Sequence, residues 1–119
     1  MSDRADAIAD DAHAEAAAAF VARARSGFDE QIEALYVFGS TARGEARGID
    51  SDVDVLLVLA DVADRESTAD ALRDVAYDVM LEYGPVVELH VLTATEFRNA
   101  RSRGDPFVDT VVREGRSYA

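Results

Sequence analysis

The chain contains no cysteine and no lysine. Without cysteine there is no disulfide and no thiolate metal site, and nothing further about the redox compartment follows. All 12 basic residues are therefore arginine, against 24 acids, 15 Asp and 9 Glu, for a net charge of −12. Such a balance provides no basic surface for phosphate backbones, so direct nucleic-acid binding is not expected. It reads either as ordinary solubility charge or as adaptation to high salt, where screening to about 3 Å at 1 M makes a self-repelling acidic surface tolerable. No run of about 18 apolar residues is present, so no membrane-spanning helix is expected. The start, MSDRADAIADDAHAEAAAAF, is acidic and lacks the basic and apolar regions of a signal peptide, which makes a cytoplasmic location the default expectation.

What is present suits one folded domain, residues 1–119. Apolar residues make up 49% of the 119, enough for a single core. Residues Asp3 to Arg25 are alanine-rich, with Ile8, Ala12, Ala16, Ala19 and Phe20 at helical spacing and Ser26-Gly27 as the stop. Ile32 to Phe38 reads as a strand halted by Gly39. Val53 to Leu59 (VDVLLVL) is a nearly continuous apolar run, the pattern of a strand buried on both faces. Ala63 to Tyr83 repeats Ala69, Leu72, Val75, Ala76, Val79, Met80 and Tyr83 at three- and four-residue steps, a helix ended by Gly84-Pro85. Val86 to Leu92 reads as a third strand. Thr93 or Thr95 caps a short helix over Glu96 to Arg101, and Phe107 to Glu114 forms a last amphipathic helix. The order predicts an α/β fold, a small mixed sheet of three or four strands flanked by helices. His13 is expected exposed on the acidic first helix. Tyr36, Tyr77 and Tyr83 are expected at the core or its edge.

The chemistry concentrates between the first two strands, in GSTARGEARGIDSDVDVLLV. Side chains at i and i+2 of a strand share a face, so Asp52 and Asp54 stand side by side. Two close carboxylates repel unless a cation lies between them or one is protonated. A Mg²⁺ ion, which binds through one or two carboxylates plus substrate phosphates, suits such a pair. Glu88 sits alone in the third strand, and if that strand lies in the same sheet it can face the same pocket. Three such acids can hold two ions about 4 Å apart for in-line displacement at phosphorus. The other reading of the pair is a Ser-Asp-x-Asp turn bonding its own backbone.

The turn upstream shifts that balance. Gly39 permits close backbone approach to an anion. The Ser40 hydroxyl and nearby N–H groups can receive a phosphate, and Arg43 can neutralise it with its planar fork. Gly44, Gly48 and Arg47 read as plain turn residues. His90 shares the face of Glu88 as a ligand, a base or a core or rim histidine, the last being the plainer reading.

Gly39-Ser40, Ala42-Arg43-Gly44, and Ser51-Asp52-x-Asp54 ahead of an apolar strand resemble the signature of the polymerase-β-type nucleotidyltransferase superfamily, and in particular its minimal, MntA-like members. The resemblance runs from Leu35 to the final helix. It implies a polymerase-β-like nucleotidyltransferase fold and transfer of AMP from ATP, with pyrophosphate leaving. By that resemblance Asp52, Asp54 and Glu88 are the catalytic, metal-binding acids, for Mg²⁺ (two ions, with Mn²⁺ an alternative). Gly39, Ser40, Arg43 and Ser51 bind the nucleotide. The minimal group resembles antitoxins paired with a HEPN-type RNase toxin, which the enzyme adenylylates on a protein hydroxyl and so silences. That makes a toxin protein the expected partner, with oligomeric state open. The rival readings are a catalytically inactive toxin-binding module and nucleotidyl transfer to a small molecule such as an aminoglycoside.

Overall fold

The computed structural model describes residues 2–39, 52–62 and 64–118, with side chains described from residue 12 onward. The elements follow the sequence pattern closely. Helix α1 spans Ser2–Phe28, strand β1 Ile32–Phe38, strand β2 Val53–Leu59, helix α2 Arg65–Tyr83 and strand β3 Val87–Thr93. Helix α3 (Ala94–Ser102), helix α4 (Pro106–Glu114) and a two-residue strand β4 (Arg116–Ser117) complete the described chain. The sheet order is β3-β2-β1-β4. Strand β1 runs antiparallel to both β2 and β4, and β2 runs parallel to β3. The fold is thus the expected mixed α/β sheet flanked by helices.

Strand alternation divides the sheet into two faces. On one, Val53, Val55, Leu57 and Leu59 of β2 join Leu35 and Val37 of β1 and pack on Ala16, Phe20 and Ala24 of α1 and on Leu72, Ala76 and Val79 of α2. On the other, Leu56 and Val58 meet Ala94 of α3 and Val111 of α4, with Tyr36, Phe38, Leu92 and Phe97 around them. Strand β2 is covered on both sides, which explains its almost unbroken apolar run: Val53 and every residue from Val55 to Leu59 are buried.

Local chemistry fixes the helix ends. Asp64 caps α2 by accepting from the Ser67 N–H at 3.2 Å. Gly84 ends it at φ 106°, a conformation open to glycine, and returns its N–H to the Met80 carbonyl. Thr93 and Glu96 form a capping box at α3. Asp61, just past β2, accepts from the Thr95 hydroxyl at 2.6 Å and its N–H at 3.0 Å. Those hydrogen bonds, the hydroxyl's first, hold the Asp61 carboxyl below its ordinary range. Asp105 caps α4 ahead of Pro106 at the first turn.

Three expectations are corrected, and one element is added. Helix α1 runs through Ser26-Gly27 to Phe28, because one glycine costs only about 1 kcal/mol within a helix and does not by itself stop one. His13 is buried, 2% exposed, not solvated. It stands three residues before Ala16 and seven before Phe20, and so lies on the inward face of α1. Tyr77 is 57% exposed, on the outer flank of α2 rather than at the core edge. Strand β4, unforeseen, exists because the Tyr118 N–H donates to the Leu35 carbonyl and draws the C-terminal residues along β1. Among the described residues, no helix is long and apolar enough to cross a membrane.

Candidate active site

Asp54 interrupts the apolar run of β2 at its second residue. Parity places it on the face that carries α3 and α4, at the sheet end where β1 finishes and β2 and β3 begin. Its register partners are Phe38 on β1 and Glu88 on β3. The next row on that face holds Tyr36, Leu56 and His90. Two acids and a histidine thus occupy adjacent rows at one corner of the sheet.

The side chains converge. Asp54, Glu88 and His90 each present a ligand atom, and the three atoms lie within 4.8 Å of one another. Glu88 Oε1 is 3.6 Å from His90 Nε2. Burial, then the negative charge of Glu88, raises the Asp54 carboxyl above its ordinary range. His90 opposes that shift, and Asp52 adds a small push in the same direction as Glu88. A carboxylate strained in this way is relieved by a cation.

The ring of His90 is held from two sides. Phe38 lies 5.5 Å away and Phe107, at the start of α4, lies 5.3 Å away, and those two phenyl rings meet edge to face at 5.5 Å. The aromatic cluster joins the end of β1 and the start of α4 to the acidic corner. Beside it opens a cleft of about 550 Å³, lined among others by Leu56, His90, Asn99, Arg103 and Phe107.

Gly39 follows β1 with φ 75°. A Cβ there would meet Asp54 Oδ2 at 2.7 Å. The glycine therefore serves two needs: a left-handed backbone and room for the Asp54 carboxylate.

The structure brings together Gly39, Asp54 and Glu88 of the expected site. Asp52 precedes β2 and is half-buried; its charge reaches Asp54, but it stands outside the three-residue cluster. Ser40, Arg43 and Ser51 lie outside the described residues. His90 belongs to the cluster, where the sequence reading left ligand and base open beside the plainer core or rim position; the signal was its two-residue offset from Glu88. Phe107 was read as one apolar position of an amphipathic helix, and nothing in its local sequence points to a ring against His90.

The donor set suits a divalent ion. Two carboxylates supply hard oxygen ligands and one imidazole supplies nitrogen, and the Asp54 carboxyl is raised first by burial and then by the charge of Glu88. Acids on paired strands at a sheet corner, beside a glycine turn, form a compact group of candidate cation ligands.

Comparison with known proteins agrees on the class. The sequence profile of the nucleotidyltransferase domain family matches residues 21–118, and the chain belongs to that family. No curated protein matches it. Among solved structures, a candidate nucleotidyltransferase from Sulfolobus solfataricus is 22% identical over 81% of this chain and 79% of that one, with a TM-score of 0.45. At that identity and score the likeness is weak, and the family assignment rests on the profile match.

Proposed function

We propose that this nucleotidyltransferase domain transfers AMP from ATP to a hydroxyl of a partner protein, and that the partner is a HEPN-type RNase toxin silenced by the modification. The observation that carries nucleotidyl transfer is the direct register pairing of Asp54 with Glu88, which sets two carboxylates side by side next to Gly39. The protein acceptor and the toxin rest on resemblance to the minimal nucleotidyltransferases.

In this reading Asp54 and Glu88 hold a divalent ion, with Asp52 contributing negative charge beside them. The ion, when bound, neutralises triphosphate charge. The acceptor hydroxyl oxygen forms a bond to the α-phosphorus, the bond from that phosphorus to the bridging oxygen breaks, and pyrophosphate leaves with the electron pair. Glu88, half-exposed at the corner, receives the hydroxyl proton. Gly39, Ser40, Arg43 and Ser51 hold the triphosphate. The acceptor side chain enters by the cleft that His90 and Phe107 line. Most of the catalysis is positioning and charge neutralisation.

The test is incubation of the full chain with α-labelled ATP, a divalent ion and the product of the neighbouring gene, followed by mass spectrometry. An AMP adduct on the partner that disappears with Asp54→Ala supports the reading. Neutralisation by Asp54→Ala without an adduct supports the inactive binding module. Label appearing only on a free small hydroxyl compound, with no protein acceptor, supports small-molecule transfer.

A further inference from the structure

We infer that His90 is a metal ligand, and that its nitrogen makes this a site for a divalent transition ion in preference to Mg²⁺. The inference rests on the carboxylate-site reading and refines it. A pair of acids alone offers only oxygen, which suits Mg²⁺. Here the third donor within 4.8 Å is an imidazole, the ligand type that suits Zn²⁺, Fe²⁺ or Ni²⁺ and that every first-row transition ion, Mn²⁺ the least strongly, accepts more readily than Mg²⁺ does.

The position of the ring argues for the role. Strand alternation aims residue 90 to the same side as Glu88, one row further from the sheet end. Nε2 is the atom turned toward Glu88, at 3.6 Å, too long for a firm hydrogen bond but suited to two ligands of one ion. Phe38 and Phe107 pack against the ring and restrict its rotation, so the nitrogen is presented at little further cost in side-chain freedom.

The chain has only two histidines, and the other, His13, lies buried on α1, so a nitrogen signal is assignable. The experiment uses the full chain without an affinity tag and Mn²⁺ as the probe. Electron-spin-echo modulation reads nitrogen coupled to bound Mn²⁺, and calorimetry gives the affinities for Mn²⁺ and Mg²⁺. His90→Phe keeps an aromatic ring between Phe38 and Phe107 and removes the donor; His90→Gln is the second variant should the first fail to fold. We expect imidazole nitrogen coupling in the native chain, its loss in either variant, and a fall of about 10-fold in the ratio of Mn²⁺ to Mg²⁺ affinity. Stoichiometric Mn²⁺ binding that is lost in Asp54→Asn but shows no nitrogen coupling overturns the role of His90 and leaves the carboxylate site standing. Absence of any stoichiometric Mn²⁺ or Mg²⁺ binding overturns both.

Discussion

The two faces of the sheet are built from the same strands yet carry different work. Toward α1 and α2 the buried apolar side chains are aliphatic apart from Phe20, with a partly buried margin around them. Toward α3 and α4 the cover is smaller and more aromatic, and at one corner it gives way to Asp54, Glu88 and His90. Residues adjacent in sequence therefore serve opposite ends: Val53 and Val55 anchor the fold, while Asp54 between them is exposed enough to bind an ion and buried enough to resist its own charge. A strand buried on both sides can host a reactive group without loosening the core, because its period of two separates packing from chemistry by one residue.

The contrast can be broken most sharply at Asp54. Asp54→Ala is expected to reduce nucleotidyl transfer by at least about 100-fold while leaving the circular dichroism spectrum intact. On the opposite face Leu72→Ala should do the reverse in kind. It opens a cavity under the sheet at a cost of about 2–5 kcal/mol, seen as a lower denaturant midpoint, and activity falls only with the folded fraction.

Gly39→Ala tests the junction of the two roles. A left-handed conformation costs a non-glycine residue about 1–2 kcal/mol, and the new methyl must also displace the Asp54 carboxylate. Both stability and ion affinity should drop, and an affinity unchanged from the native chain would show that Asp54 has a second usable position.

A smaller effect has the opposite sign. The Asp54 carboxyl is raised by burial and by Glu88, so in the folded, ion-free chain it keeps its proton at a pH where the unfolded chain has released it. Its favourable contribution is full below the ordinary carboxylate value near 4 and fades as the pH climbs through the raised one. Asp54→Asn imitates the protonated group. It should therefore match the native melting temperature in acid and exceed it modestly at neutral pH, in a calorimetric scan without divalent ions. The smallest change concerns the surface: with a net charge of −12, melting temperature should rise gently with NaCl as repulsion is screened.

Much of this was legible in the residues. The three long strands follow from apolar spacing and alternation, whereas Asp52, read as standing beside Asp54 on one strand face, lies ahead of β2 and outside the cluster. The register was not legible. That Asp54 stands opposite Glu88 depends on how α2 returns the chain, with the Val53 N–H bonded to the Val86 carbonyl at the start of the parallel pair. His13 was misread because its polarity outweighed a helical spacing to Ala16 and Phe20 that was present in the sequence. Strand β4 escaped notice because two residues carry no period; only the backbone of β1 defines it.

The parallel pairing of β2 with β3 also governs when the site comes into being. Asp54 and Glu88 meet only after the whole α2 crossover has closed, a non-local contact that loop-closure entropy delays. The crossover that brings the repelling acids together is held by apolar packing on the opposite face of the sheet. Under the proposed reading a nascent or partly folded chain holds no ion at this corner, and ion capture reports completion of the fold.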